Sequence, residues 1–367
     1  MWFLAMIVFA VLSQAAKHRL IVGTFSTEFL YTLEYDDQDQ SLVLVATNPV
    51  PAASQWIALN HDKTKLYGTD WNAAEPSFMS YDIQDPLNIK HEATIVGGRY
   101  CSGSKSIFVA AYPKAPYTVY SNNYYGDAKC SSVMSVHDNG TLKEIIQDYT
   151  YAPGSAVHGL AFSSGGGYLF SADTIGNKIW THQIDATTGQ LTYASNITGP
   201  SAGSDPRHII AHGGDKFLYT VLEGSSEVAQ YVMNRDGQLF YHDTKYPLIR
   251  ESENPADFWA DEISMSVNSK YLWATNRARD NTKKGYISVL ELDEAEGAIA
   301  GQNFLLPTST SGGFANAVAA SPFDESLAAL TDNSTGFVEI WNVNGYPIAH
   351  LNIEDGGGCC ANAVWLD

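Results

Sequence analysis

One phrase recurs along this chain and restricts its fold more than any other feature. "GGYLFSADTIGNKIWTHQIDATTGQLT" (166–192) returns in altered form as "DKFLYTVLEGSSEVAQYVMNRDGQLF" (215–240) and "SKYLWATNRARDNTKKGYISVLELDEAEGAI" (269–299). Each copy holds an aromatic strand, a polar break, a second alternating strand, and a turn closed by Gly and an apolar residue. Weaker copies are "TKLYGTDW" with "FMSYDI" (64–83), "YTVYSNNYYGDAKCSSVMSVHDNGTL" (117–142) and "SLAALTDNSTGFVEIWNVNGYPI" (326–348). A seventh is "LIVGTFSTEFLYTLEYDDQDQSL" (20–42). A fixed period of this length marks a repeat architecture, in which one supersecondary unit is copied.

A further short strand precedes most copies: "WIALNH", "HGLAFS", "RHIIAHG", "ISMSVN" and "NAVAASP". A sixth, "NAVWLD", ends the chain with no partner after it, and the first copy has none before it. The terminal strand supplies what the first copy lacks. A small twisted antiparallel sheet cannot bury both faces alone, and stacking in a closed ring does so without leaving an open end. The sequence therefore predicts an all-β, seven-bladed β-propeller whose N- and C-terminal strands share a blade. A pair of β-sandwiches would not explain the matching ends.

Composition sets the surroundings of that ring. Hydrophobic residues make up 45% of the chain and charged residues 17%, as in a folded protein with a large core. With 21 Lys plus Arg against 40 Asp plus Glu, the net charge is −19. Such a surface repels polyphosphate, so nucleic acid is not an expected partner. Trp2 to Leu12 form an apolar run too short to span a bilayer, followed by small residues at Ser13 and Ala15. Residues 1–15 read as a signal peptide and 16–367 as a single propeller domain. The expected location is secreted, with no membrane association after cleavage. Sequons at Asn139, Asn196 and Asn333 fit a glycoprotein. Of the four cysteines, Cys101 and Cys130 fall in one repeat and are expected to pair, leaving Cys359 and Cys360 as a vicinal pair or free thiols. No cysteine or histidine spacing resembles a metal site. The sequence sets no oligomeric state.

Propeller geometry then places the polar residues. The innermost strand of a blade and its neighbour run antiparallel, so the start of one and the exit of the next lie on the same rim of the central channel. Strand starts give Trp56, His158, Arg207, Glu262, Asn316 and Asn362. Strand exits give Asp70, Asn122, Asp173, Glu223, Arg277 and Asp332. Asp and Asn at exits are also ordinary turn formers. Arg207 with Glu223 also fits a blade-internal ion pair. Arg277 is placed in the insert "RARDNTKKG", where nothing demands a buried cation, and Arg279 beside it is expected in solvent. Two arginines can clamp carboxylates through paired hydrogen bonds. A His or Glu between them can move a proton to or from carbon. No serine elbow of the G-x-S-x-G kind and no phosphate loop is present.

At these residues the chain resembles the fungal carboxy-cis,cis-muconate cyclases (3-carboxymuconate lactonizing enzymes), within the broader seven-bladed lactonase propellers. The likeness is densest in "VHGLAFSSGGGYLFSADTIGNKIWTH", "DPRHIIAHGGDKFLYTVLEG", "TNRARDNTKKGYISVLEL", "LPTSTSGGFANAV" and "NAVWLD". It implies an active site of His158, Arg207, Glu223 and Arg277; the rim positions add Trp56, Asn122, Asp173, Asn316 and Asn362 as expected substrate contacts around it. It also implies a cofactor-free isomerase for a small-molecule substrate. A carboxylate adds to a conjugated double bond and closes a lactone, the arginines hold carboxylates, and Glu223 or His158 delivers a proton to carbon. Three other readings share the fold: a ring-closing or cycloaddition enzyme of fungal secondary metabolism, a lactone hydrolase, and a non-enzymatic cell-wall glycoprotein.

Overall fold

Each repeat folds into a four-stranded antiparallel sheet, and seven such sheets stand around one axis among the described residues. The computed structural model describes residues 16–97, 100–126 and 130–367; the expected leader at 1–15 lies outside them. The first blade joins the C-terminal strand Ala363–Trp365 to Lys17–Val22, Phe29–Asp36 and Ser41–Pro49. Leu20, Ile21 and Val22 pair with Trp365, Val364 and Ala363, so the shared blade predicted from the chain ends is present. The other six blades begin at inner strands Ile57–Leu59, Lys105–Ala111, Val157–Phe162, Pro206–Ala211, Phe258–Met265 and Val318–Ala320. The third-blade strand Lys105–Ala111 is the inner strand that the repeat pattern alone did not reveal.

The hydrophobic pattern along each blade explains this order. The second strand of the fifth blade, Phe217–Leu222, is buried at all six positions because sheets press on both of its faces. The outermost strand of the same blade, Leu239–Pro247, is buried only at Leu239 and otherwise alternates between partly covered and exposed positions. A strand covered on both faces reads as a continuous apolar run, and one covered on a single face alternates. The core is accordingly divided into interfaces between blades. One cluster joins Tyr120, Val133 and Tyr149 of the third blade to Leu160, Leu169 and Trp180 of the fourth. Another joins Leu20, Tyr31 and Leu33 of the first to Ala329, Val338 and Ile340 of the seventh, sealing the ring.

Cys101 is bonded to Cys130, as expected, and of the two alternatives for Cys359 and Cys360 the structure shows the bonded vicinal pair. Asn139 and Asn196 are exposed, whereas Asn333 is half-buried and its amide donates to the Cys359 carbonyl at 3.0 Å.

One buried histidine outside the channel ties stability to pH. The His182 ring sits among Tyr149, Tyr151 and Tyr193, and its Nδ1 has no partner. Burial lowers it from 6.5 to about 4. Its folded value lies below its free value, so stability is complete above pH 6.5 and is lost as pH falls towards 4. The loss at pH 4 amounts to about 3 kcal/mol. His182→Phe is expected to flatten the acid limb of stability, measured by urea unfolding from pH 8 to 4. An unchanged slope would remove His182 as its source.

Candidate active site

The axial channel opens at one end into a cavity of about 520 Å³ to which all seven blades contribute. Four of the predicted residues, His158, Arg207, Glu223 and Arg277, line it together with Trp56 and Asn362. They arrive there by a shared local device. In the inner strands of the fourth, fifth and sixth blades the pairing register slips between Val157 and Leu160, Pro206 and Ile209, and Ala260 and Ile263. A bulge frees consecutive residues from strict alternation and re-aims their side chains. His158 with Gly159, Arg207 with His208, and Asp261 with Glu262 sit in these three slips.

Asp261 is the charge centre of the site. Its Oδ1 accepts from Arg207 Nη1 and lies 3.3 Å from Arg277 Nε, while Oδ2 accepts the Asn316 amide N–H at 2.6 Å. Burial alone would raise this carboxyl, but Arg207 and Arg277 outweigh it and hold it below its ordinary range. Burial likewise opposes the charge of Arg207, which Asp261 and Glu223 restore and raise. For Arg277, burial and the like charge of Arg207 prevail over Asp261 and lower the group. Glu223 Oε2 approaches Arg207 Nε to 2.9 Å, although the Nε–H is not directed at it. Burial keeps Glu223 above the usual carboxylate range against the pull of both arginines.

Arg277 belongs to the regular strand Tyr271–Ala278, paired with Trp259, rather than to the following insert. Its guanidinium stacks on the Trp259 ring at 4.7 Å, and exposed Arg279 stacks on the same ring at 4.4 Å. Such stacking fixes the plane of a guanidinium and aims its donors.

His158 presents one nitrogen to the cavity because the other is taken: its Nδ1 lies 2.7 Å from His208 Nε2. His208 Nδ1 in turn lies 3.0 Å from Glu262 Oε2. Burial, reinforced by Arg207, holds both imidazoles well below their ordinary value, and burial pushes Glu262 well above its own. Gly159 makes this approach possible. A Cβ there would stand 2.8 Å from the Arg207 carbonyl oxygen and from the His208 ring.

Three expected substrate contacts are turned away from the cavity. Asn122 donates to the His158 carbonyl at 2.9 Å and accepts from Ser131, stapling the third blade to the fourth. Asp173 accepts from the Ala156 and Gly176 amides and from Trp180 Nε1. Asn316 donates to the Asn276 carbonyl and supports Asp261. Asn362, although on the cavity wall, spends both side-chain atoms on the Ile57 backbone. Asp70 and Asp332 hold turns, accepting backbone N–H groups two or three residues on.

Much of the remaining wall is aromatic. Phe25, Trp56, Trp71, Tyr124, Tyr125 and Phe314 face the cavity, with Tyr124 edge-on to His158 at 5.2 Å. Among the described residues, no group of three or more His, Cys, Asp or Glu is disposed to hold a metal ion.

These features define a propeller with a cavity at one mouth of its axial channel, lined by a paired-arginine pole and an aromatic wall. The chain belongs to the lactonase family of seven-bladed β-propellers, whose family model matches residues 19–345. The carboxy-cis,cis-muconate cyclase of Neurospora crassa is 30% identical to it, over 95% of this chain and 99% of that protein. Muconate cycloisomerase 1 of Cutaneotrichosporon cutaneum is 27% identical, over 88% and 90% respectively. The solved periplasmic gluconolactonase PpgL of Pseudomonas aeruginosa has the same fold, with a TM-score of 0.80 at 17% identity, over 95% of this chain and 99% of that one.

Proposed function

We propose that this protein is a ring-closing isomerase that needs no cofactor and acts on an unsaturated carboxylic acid. The carrying observation is the convergence of His158, Arg207, Glu223 and Arg277 on one cavity. One carboxylate oxygen of the substrate bonds to the far carbon of a conjugated C=C. The π electrons move towards the second carboxylate as an enolate, and the α-carbon then takes a proton. The N–H edge of Arg277 that Asp261 leaves free, its plane braced by Trp259, holds the carboxylate on which charge develops. Charge stabilisation by preorganised donors is the largest usual contribution to such a step. His158 faces the α-carbon as the proton donor, and Glu223 orients Arg207. The likeness to the two muconate-acting relatives supports this reading.

The walls favour one kind of substrate. Both arginines already share Asp261, and Arg207 also meets Glu223. The positive pole is therefore too small for several unpaired carboxylates, while six aromatic rings offer an apolar surface. A conjugated acid with an apolar body fits better than a compact tricarboxylate. This favours the second reading, a ring-closing enzyme of secondary metabolism.

Both readings are tested by incubating the purified protein with 3-carboxy-cis,cis-muconate and with an aryl-substituted dienedioic acid. Absorbance of the conjugated system is followed and products are resolved by NMR. Loss of diene absorbance is expected, faster for the aryl acid. Intact dienes with folded protein, together with opening of added lactones, would replace this reading by a hydrolase.

A further inference from the structure

His158 poses a chemical problem. Burial and Arg207 keep its ring neutral, and a neutral imidazole that gives up its remaining proton becomes an imidazolate, which is a poor outcome for an acid at carbon. Behind it stand two groups to which the ring-closure chemistry above assigns nothing. His208 is buried, packed against Trp56 at 4.8 Å and Phe108 at 5.4 Å, with its Nε2 on His158. Glu262 is buried beyond it. Glu262 Oε1 accepts the Ile263 amide at 2.9 Å, which leaves Oε2 for His208 Nδ1 at 3.0 Å. That Nδ1 is buried and has no aligned partner in this state. Catalytic hydrogen bonds are often loose before substrate binds and tighten in the complex.

We propose that His208 and Glu262 form a proton relay that makes neutral His158 an effective acid. In the resting state Glu262 carries the proton on Oε2 towards His208 Nδ1. His208 Nε2–H points to His158 Nδ1, and His158 Nε2–H faces the cavity. Three protons shift in the step. One leaves His158 Nε2 for the substrate carbon, one passes from His208 Nε2 to His158 Nδ1, and one passes from Glu262 to His208 Nδ1. Both rings finish neutral in the other tautomer, and Glu262 finishes as the carboxylate. The charge thus created falls within the field of Arg207, already a partner of Glu262. The proton is replaced from solvent by the same path after product leaves. The other charged or titratable groups facing the relay are Asp261, Arg277, Glu223 and Tyr124, from the sixth, fifth and third blades.

The delivery step rests on the ring-closing reading; the resting proton arrangement does not. The first arm of the test therefore needs no substrate. A difference infrared spectrum of wild type against Glu262→Gln at pH 7 is expected to show a protonated carboxyl. Nitrogen NMR of the ¹⁵N-histidine-labelled protein is expected to show His158 and His208 neutral from pH 6 to 8, each protonated at Nε2. An ionised carboxylate at 262, or either ring as imidazolium or protonated at Nδ1, overturns the relay whatever the substrate proves to be. The second arm uses the dienedioic acid that turns over. Glu262→Gln is expected to lower kcat about 10- to 100-fold with KM nearly unchanged, because Gln keeps the shape and donates no proton. Glu262→Asp should recover part of the rate. In wild type, several protons should contribute to the solvent isotope effect, and in Glu262→Gln only one. A kcat in Glu262→Gln equal to wild type also overturns the proposal.

Discussion

Asp261→Asn is expected to destabilise the protein by about 3–5 kcal/mol, the usual cost of removing one partner from a buried ion pair. The substitution keeps the shape of the side chain and its acceptor for the Asn316 amide. It removes the carboxylate that is ion-paired with both Arg207 and Arg277, whose side chains are only 7% and 12% exposed. Two cations would then share a largely dry site, with Glu223 alone to offset them. Glu223→Gln should cost less, since Arg207 retains Asp261. Removing the exposed pair of Lys143 with Glu144 should leave the unfolding midpoint where it is, because water and salt already screen it. Urea unfolding at pH 7 measures all three. The Asp261 variant should unfold at a much lower midpoint with an unchanged denaturant slope, the mark of lost stability rather than a changed denatured state. A loss below about 1 kcal/mol would mean that the arginines find other partners, and the electrostatic account of the site would fail with it.

The ring itself was legible because every blade repeats the same instructions. Two aromatic-rich strands, a Gly turn and an alternating outer strand recur, and the unpaired "NAVWLD" needed a partner that only the first repeat offers. His158, Arg207, Glu223 and Arg277 were legible for a related reason: start and exit of adjacent antiparallel strands must share a rim. Simple alternation failed at the slips in register. It assigns His208 and Asp261 to the opposite face from Arg207 and Glu262, yet all four converge because the strands bulge there. The clue was the adjacency of two titratable residues in "PRH" and "ADE", which a regular strand would waste on the blade interface. Asn122, Asp173 and Asn316 mislead in the opposite direction. They occupy rim positions, but neighbouring backbone groups claim their side chains. The aromatic wall was hidden differently. Phe25 and Phe314 come from loops, and nothing in a strand pattern predicts which way a loop ring turns.

His158→Asn is expected to lower kcat by about 10²- to 10⁴-fold, the range for loss of a positioned general acid. KM should change little, since His158 meets the reacting carbon and not the carboxylates. Arg277→Met should behave differently. It removes a donor that binds the substrate carboxylate in the ground state and binds it more strongly as charge develops, so KM should rise while kcat falls. Arg277→Lys should not restore the activity, because an ammonium cannot reproduce a planar guanidinium held on the face of Trp259. The pH profile separates a relay-fed histidine from a free one. A free histidine acid would need its imidazolium, and the rate would fall as pH rises through its ordinary value near 6.5. Here burial holds His158 far below that value and Glu262 far above its own. The acid form is therefore the protonated Glu262. The rate should stay level through pH 6.5 and fall only as alkali ionises the carboxyl. In His158→Asn the residual rate should lose that alkaline limb, because no ring remains to carry the proton out. A wild-type profile that breaks at pH 6.5 would return the acid role to a charged imidazole and detach Glu262 from the chemistry.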